Sequence, residues 1–153
     1  MTKLFIFLAA VIIFVVPVKA EQDITETQKA VLITGASSGL GRAMAELMAA
    51  EGHFVYAGAR KDADMAELNA IKNIQAVRLD VTEQAQIDAA VKTISEAGRG
   101  LYGLINNAGV GALYALTEAP DSEVEWLMDV NLYGPLRVTR AFACNQGLCS
   151  ADC

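Results

Sequence analysis

Histidine is almost missing from this sequence: His53 stands alone among 153 residues. A metal centre built on several histidines is thereby excluded, because no second histidine can join it. His53 follows Gly52 at a predicted helix-to-strand junction and reads as a solvated turn residue. Cysteine is scarce too. Cys144, Cys149 and Cys153 all fall in the last ten residues, spaced C-x4-C-x3-C. That spacing matches no zinc framework, the odd number leaves one thiol over, and the predicted core holds none. Positive charge is also short: 12 Lys and Arg face 18 Asp and Glu, a net charge of −6. With no basic stripe, a nucleic-acid partner is excluded. Apolar residues make up 54% and charged residues 20%, the profile of about one globular domain.

The N-terminus reads as a targeting segment. Lys3 precedes an uninterrupted apolar run, Leu4 to Val16, and Pro17-Val18-Lys19-Ala20 resembles a cleavage region. The run falls short of the roughly 20 residues of a spanning helix, so residues 1–20 are expected to be a signal peptide or, second, a short membrane anchor. Association with a membrane through residues 4–18, or export, is the corresponding expectation. Lys3 and Lys19 flank the run equally and give it no orientation. Residues 21–29 form a polar linker, and the fold is expected to begin at Ala30.

The chain is organised around Ala30 to Gly41, A-V-L-I-T-G-A-S-S-G-L-G. Val31, Leu32 and Ile33 predict a strand buried on both faces. Thr34 and Gly35 end it. Gly39 and Gly41 then open a helix whose predicted apolar positions are Leu40, Ala43, Met44 and Leu47. Strand, glycine turn and helix N-terminus in succession make an anion site, because free N–H groups and the helix dipole face outward together. Gly35 permits the turn, Gly39 admits a pyrophosphate and Gly41 allows close packing of helix on strand.

Further along, His53–Ala57 predicts a second strand ending at Gly58-Ala59-Arg60, and Asp62 caps a helix through Ile71 with Met65, Leu68 and Ile71 on one face. Ile74–Leu79 predicts a third strand closed by Asp80-Val81. Thr82 caps a helix whose buried stripe is Ile87, Val91 and Ile94, ending near Gly98. Leu101–Ile105 is the fourth strand, followed by Asn106-Asn107-Ala108-Gly109, and a last helix runs from about Ser122 to about Phe142. The alternation implies an α/β fold, a parallel Rossmann-type sheet in the order 3-2-1-4 flanked by helices, over residues 30–143.

Four strand ends thus carry distinctive groups on one rim, where ligands of such folds bind. About 20 residues beyond the glycines an acidic residue would hold ribose hydroxyls. Ala59 occupies that position and Arg60 follows, a guanidinium suited to a phosphate, or else a solvated surface arginine. Asp80 is either a binding group or a turn aspartate.

T-G-A-S-S-G-L-G, D-V at Asp80-Val81 and N-N-A-G at Asn106 to Gly109 resemble, in order, the cofactor motifs of the short-chain dehydrogenase/reductase family. The resemblance implies cofactor contacts from Thr34, Gly35, Ser37, Ser38, Gly39, Leu40, Gly41, Arg60, Asp80, Val81, Asn107, Ala108 and Gly109. Arg60 favours NADP over NAD. D-V-N-L-Y-G-P-L-R resembles the family's helix with a catalytic asparagine, here Asn131, which seats a water in a proton relay. Pro135 lacks an N–H, so the Asn131 carbonyl loses its helical partner; a packing kink is the plainer reading. G-L-Y-G-L-I-N-N-A-G further resembles the branch acting on retinol, steroids and hydroxybutyrate. Trp126, Leu127, Met128 and Tyr133 read as core or interface residues.

The resemblance implies an NADP-dependent oxidoreductase moving hydride between nicotinamide and a small alcohol or carbonyl, with homo-oligomers in intact relatives. The family's Y-x-x-x-K, whose tyrosine is the acid/base, is missing from this chain; Tyr133 with Arg137 lies inside the asparagine helix. Residues 144–153, C-N-Q-G-L-C-S-A-D-C, read as an unrelated tail from premature termination. A catalytically inactive nucleotide-binding remnant is therefore the alternative, with an unpaired edge on the fourth strand. A domain facing the cytoplasm suits the cofactor, whereas the leader suits export.

Overall fold

In the computed structural model, which describes residues 28–115 and 117–145, all four residues of strand β1, Ala30–Ile33, are buried. Side chains alternate across a strand, so an all-apolar run needs cover on both faces. It has that cover. Ala30 and Leu32 join one cluster, Val31 and Ile33 the other.

The elements follow in the order β1, α1 (Gly39–Ala50), β2 (Phe54–Ala59), α2 (Asp62–Asn69), β3 (Ile74–Arg78), α3 (Gln84–Glu96), β4 (Gly103–Ile105), α4 (Asp121–Met128), a π-helical turn (Asp129–Tyr133) and α5 (Gly134–Asn145). The sheet order is β3-β2-β1-β4 and every pairing is parallel. This is the Rossmann-like arrangement expected from the alternation of strands and helices. In register, Leu32 stands opposite Tyr56 and Leu104. On one face Ile87, Ala90 and Ile94 of α3 and Val138 and Phe142 of α5 cover Leu32, Tyr56 and Val77. On the other, Ala45 and Ala49 of α1 and Leu68 of α2 cover Ile33, Val55 and Ala57.

Several local expectations are corrected. The face of α1 on the sheet is Gly41, Ala45 and Ala49, whereas Leu40 is 78% and Leu47 60% exposed. Small side chains win there because the helix must sit close to the strands at its glycine-rich start. β2 runs two residues past Ala57. Asp62 is the first residue of α2 rather than its cap, and its carboxylate pairs with Arg78. Thr82 does not cap α3; Glu83 holds that position, and the Thr82 hydroxyl donates to Asp80 instead. His53 is half-buried, not solvated. Trp126, Met128 and Tyr133 are each 44–49% exposed, so of the two readings, core or interface, the core reading fails. The last helix is broken by the π-turn, in which the Gly134 N–H reaches the Asp129 carbonyl five residues back.

The expectation of membrane association or export is also corrected: among the described residues no helix is long and apolar enough to cross a membrane. Residues 1–20, most of the 21–29 linker and residues 146–153 of the tail lie outside the described residues.

Candidate functional site

The ends of β1, β2 and β3, the start of α1 and the loop after β4 enclose a cleft of about 230 Å3. Gly35, Ser37, Ser38, Leu40, Gly41, Arg60, Asp80, Val81, Asn107, Ala108 and Gly109 line it, together with Gly58, Ala59, Leu79, Val110 and Val130, none of which was expected as a cofactor contact. Thr34, Gly39 and Asn131 lie behind or beside the wall.

Thr34 is the hub of that wall. It is 1% exposed, and its Oγ1 accepts the N–H groups of Asn107 and Ala108, each at 3.0 Å. Asn107 answers with Nδ2, which donates to the carbonyls of Thr34 at 3.0 Å and Gly35 at 3.1 Å. The glycine loop and the N-N-A-G turn are thus one hydrogen-bonded unit. Nothing larger than glycine fits where they touch α1: a Cβ on Gly41 would lie 2.3 Å from the Gly35 carbonyl oxygen and 2.4 Å from Asn107 Nδ2. Gly39 differs. It has φ +56°, with open space where a Cβ would stand.

The N-terminus of α1 is open to an anion. Ser38 is its cap and makes no side-chain capping bond, and the first turn carries no acidic residue. Its leading N–H groups therefore lack intrahelical acceptors, and the dipole favours negative charge at that point.

Arg60, on the rim, is 65% exposed and its Nη1 lies 3.6 Å from Asp80 Oδ2. Asp80 Oδ1 accepts the Thr82 N–H at 3.0 Å and the Thr82 hydroxyl at 2.8 Å. Burial pushes the Asp80 carboxyl upward, but the two Thr82 bonds and the Arg60 charge together outweigh it and hold the pKa below the ordinary carboxylate value.

Asn131 sits outside the cleft in the π-turn. Its Oδ1 accepts the Val110 N–H at 2.9 Å and its Nδ2 donates to the Val110 carbonyl at 2.8 Å. Its side chain is thereby committed to holding the loop after N-N-A-G. Pro135 offers no N–H to the carbonyls four and five residues before it, those of Asn131 and Val130. Gly134, which the motif reading passed over, brings the turn against the cleft: a Cβ there would lie 2.6 Å from Val81 Cγ2. The glycine beside Pro135 was its one signal in the sequence.

The family profile described as short chain dehydrogenase matches residues 29–146. The chain belongs to that family. It is 37% identical over 118 residues to a short-chain dehydrogenase of Penicillium crustosum, covering 76% of this chain and 44% of the relative. It is 31% identical over 133 residues to the mitochondrial D-beta-hydroxybutyrate dehydrogenase of Mus musculus, covering 80% and 39%. Among solved structures, a short-chain dehydrogenase from Streptomyces avermitilis superposes with TM-score 0.72 at 35% identity, over 78% of this chain and 45% of that one. An actinorhodin polyketide ketoreductase solved with NADPH gives TM-score 0.73 at 28% identity, over 79% and 48%. The chain therefore spans less than half the length of these relatives.

Proposed function

We propose that this chain carries the cofactor-binding part of an NADP-dependent oxidoreductase of the short-chain dehydrogenase type, acting between an alcohol and a carbonyl. The observation that carries the NADP reading is Arg60: at the end of β2 the rim offers an exposed guanidinium and, at Ala59, no carboxylate. A 2′-phosphate is attracted by the first and would be repelled by the second.

The residues present fit the group. The uncapped start of α1, with open space over Gly39, receives a pyrophosphate. The cleft is smaller than the roughly 300–1,000 Å3 of sites that swallow a whole ligand, so it suits the adenosine end of a dinucleotide laid across an open rim. Asp80, ionised and fixed by Thr82, accepts from an amino group of the base. Ala108 and Gly109 present small surfaces to the second ribose. When bound, the cofactor supplies the hydride acceptor or, reduced, the donor. Asn131 orients the loop through Val110 and leaves its carbonyl, which receives no N–H from Pro135, to hold a water.

Titrating the full chain with NADPH and NADH while following fluorescence and melting temperature tests this. Saturable binding that raises the melting temperature, with a preference for NADPH lost in Arg60→Ala, is expected. Equal affinity for both nucleotides, or a preference untouched by Arg60→Ala, would refute the NADP assignment.

A further inference from the structure

We infer that Arg78 is a positioning residue for cofactor choice, acting by fixing the backbone from which Arg60 projects. The inference rests on the reading of the cleft as an NADP site and names the device that makes Arg60 selective.

The turn between β2 and α2 is held at three successive carbonyls. The Leu79 N–H takes Ala59 O at 2.9 Å, the last rung of the sheet, and the Met65 N–H takes Lys61 O at 3.0 Å, the first bond of the helix. Between them, the Arg60 carbonyl accepts from Arg78 Nη1 at 2.5 Å. The other arm of the same guanidinium pairs with Asp62, the first residue of α2. Lys61, the cap of α2, makes no side-chain capping bond. The planar fork of Arg78 therefore spans the turn from the end of β3, with one acceptor on each side of Lys61.

The consequence falls on Arg60. Its side chain is largely exposed and, among the described residues, pairs with Asp80 Oδ2 at 3.6 Å, so side-chain packing does little to place it. Where its guanidinium points is set by its peptide, and the peptide is set by Arg78. A second hollow, lined by Ser37, Ser38, Arg60, Lys61 and Asp64, adjoins the main cleft and shares Ser37, Ser38 and Arg60 with it. A phosphate on the adenosine ribose would meet both cations of the turn there, and rotation of the Arg60 peptide would carry them off it together. Asp62 offsets the charge of Arg78 itself, so Arg78 acts through geometry rather than through its field.

The test compares NADPH and NADH affinities of the full chain in wild type, Arg78→Met, Arg78→Lys and Asp62→Asn. Arg78→Met should weaken NADPH binding about tenfold, the equivalent of one charged hydrogen-bond constraint, and leave NADH binding unchanged. Arg78→Lys, which keeps the charge but cannot fork to two acceptors, should recover less than half of the lost preference. Asp62→Asn, which leaves the sheet untouched, should lose about threefold and decides the matter if Arg78→Met does not fold. Equal loss for both nucleotides, full rescue by lysine, or no change in any variant overturns the inference. A wild-type chain with no preference sinks the NADP reading and this inference together; a wild-type preference that survives the variants sinks this inference alone.

Discussion

Replacing Thr34 by valine should unfasten the cleft from within. The two side chains are nearly the same shape, and Thr34 is 1% exposed, so the change leaves no cavity and removes only the hydroxyl. That hydroxyl is the acceptor for two main-chain N–H groups, Asn107 and Ala108, each at 3.0 Å. A buried donor left without a partner costs about 1–3 kcal/mol. Asn107 remains tied through its own amide to the Thr34 and Gly35 carbonyls, so the turn cannot swing out to water and both donors stay stranded. The low half of the range for two donors gives about 2–4 kcal/mol, a large part of the roughly 5–15 kcal/mol that holds a domain folded. Thr34→Ser keeps the acceptor and loses one methyl, about 1 kcal/mol.

Urea unfolding of the full chain followed by circular dichroism reads these differences as midpoint shifts at constant slope. Amide exchange adds a local signature, with faster exchange at Asn107 and Ala108 in the valine variant and protection retained in the serine variant. A valine variant less than about 1 kcal/mol destabilised, or no better in serine than in valine, would refute the hub role of the hydroxyl.

Gly41→Ala should cost about 3 kcal/mol or more, since its Cβ would stand 2.3 Å from a backbone oxygen, whereas Gly39→Ala, strained at φ +56° but without a clash, should cost only about 1 kcal/mol in thermal melts. Gly134→Ala drives its methyl to within 2.6 Å of Val81 Cγ2; it should destabilise by about 1–3 kcal/mol, and adding Val81→Ala should give a double-mutant cycle with a coupling above about 1 kcal/mol. Because the Asp80 carboxyl is held below its ordinary value, its bonds contribute stability that is present above about pH 4 and lost as the pH falls through the folded-state value; Asp80→Asn should lower stability at pH 7 and flatten the acid limb below about pH 4 in pH-dependent denaturation. The Tyr56 hydroxyl is buried without a partner among the described residues, so Tyr56→Phe should be neutral or raise stability by about 1 kcal/mol.

What the sequence discloses is what local physics decides. A strand, a glycine turn and a helix start lie within twelve residues from Ala30 to Gly41, so their order and their anion-facing geometry follow from neighbours in the chain. The strand order follows as well, since each βαβ step obeys a handedness rule. What stays hidden depends on distant partners. Thr34 reads as the end of a strand, and only the fold brings to it N–H groups more than 70 residues away. Thr82 looks like a helix cap because threonine generally is one; Asp80, two residues earlier, takes its hydroxyl instead. Leu40 and Leu47 look like core by hydropathy, yet alanines fill the α1 contact because the glycine loop draws the helix too close for leucine. Pro135 betrayed an irregular helix, but not that Gly134 would complete a π-turn against Val81.

The cleft separates two tasks onto two kinds of structure. Its floor is cross-tied at each strand end: Thr34 to the loop after β4, the Ala36 N–H to the Gly58 carbonyl at 2.8 Å, the Leu79 N–H to the Ala59 carbonyl at 2.9 Å, and Val110 to Asn131. Groups fixed before a ligand arrives lose little entropy on binding, so the anion-facing floor can contribute affinity at small ordering cost. Arg60 stands apart, exposed on the rim and paired loosely with Asp80. A phosphate that draws Arg60 away must replace that pair, so its gain is the difference between two ionic contacts and is modest and salt-dependent. Changes in the floor should therefore move stability and affinity together for any nucleotide. Changes at Arg60, Arg78 or Asp62 should move chiefly the ratio between nucleotides, and raising the ionic strength should compress that ratio while leaving the melting temperature of the free chain nearly constant.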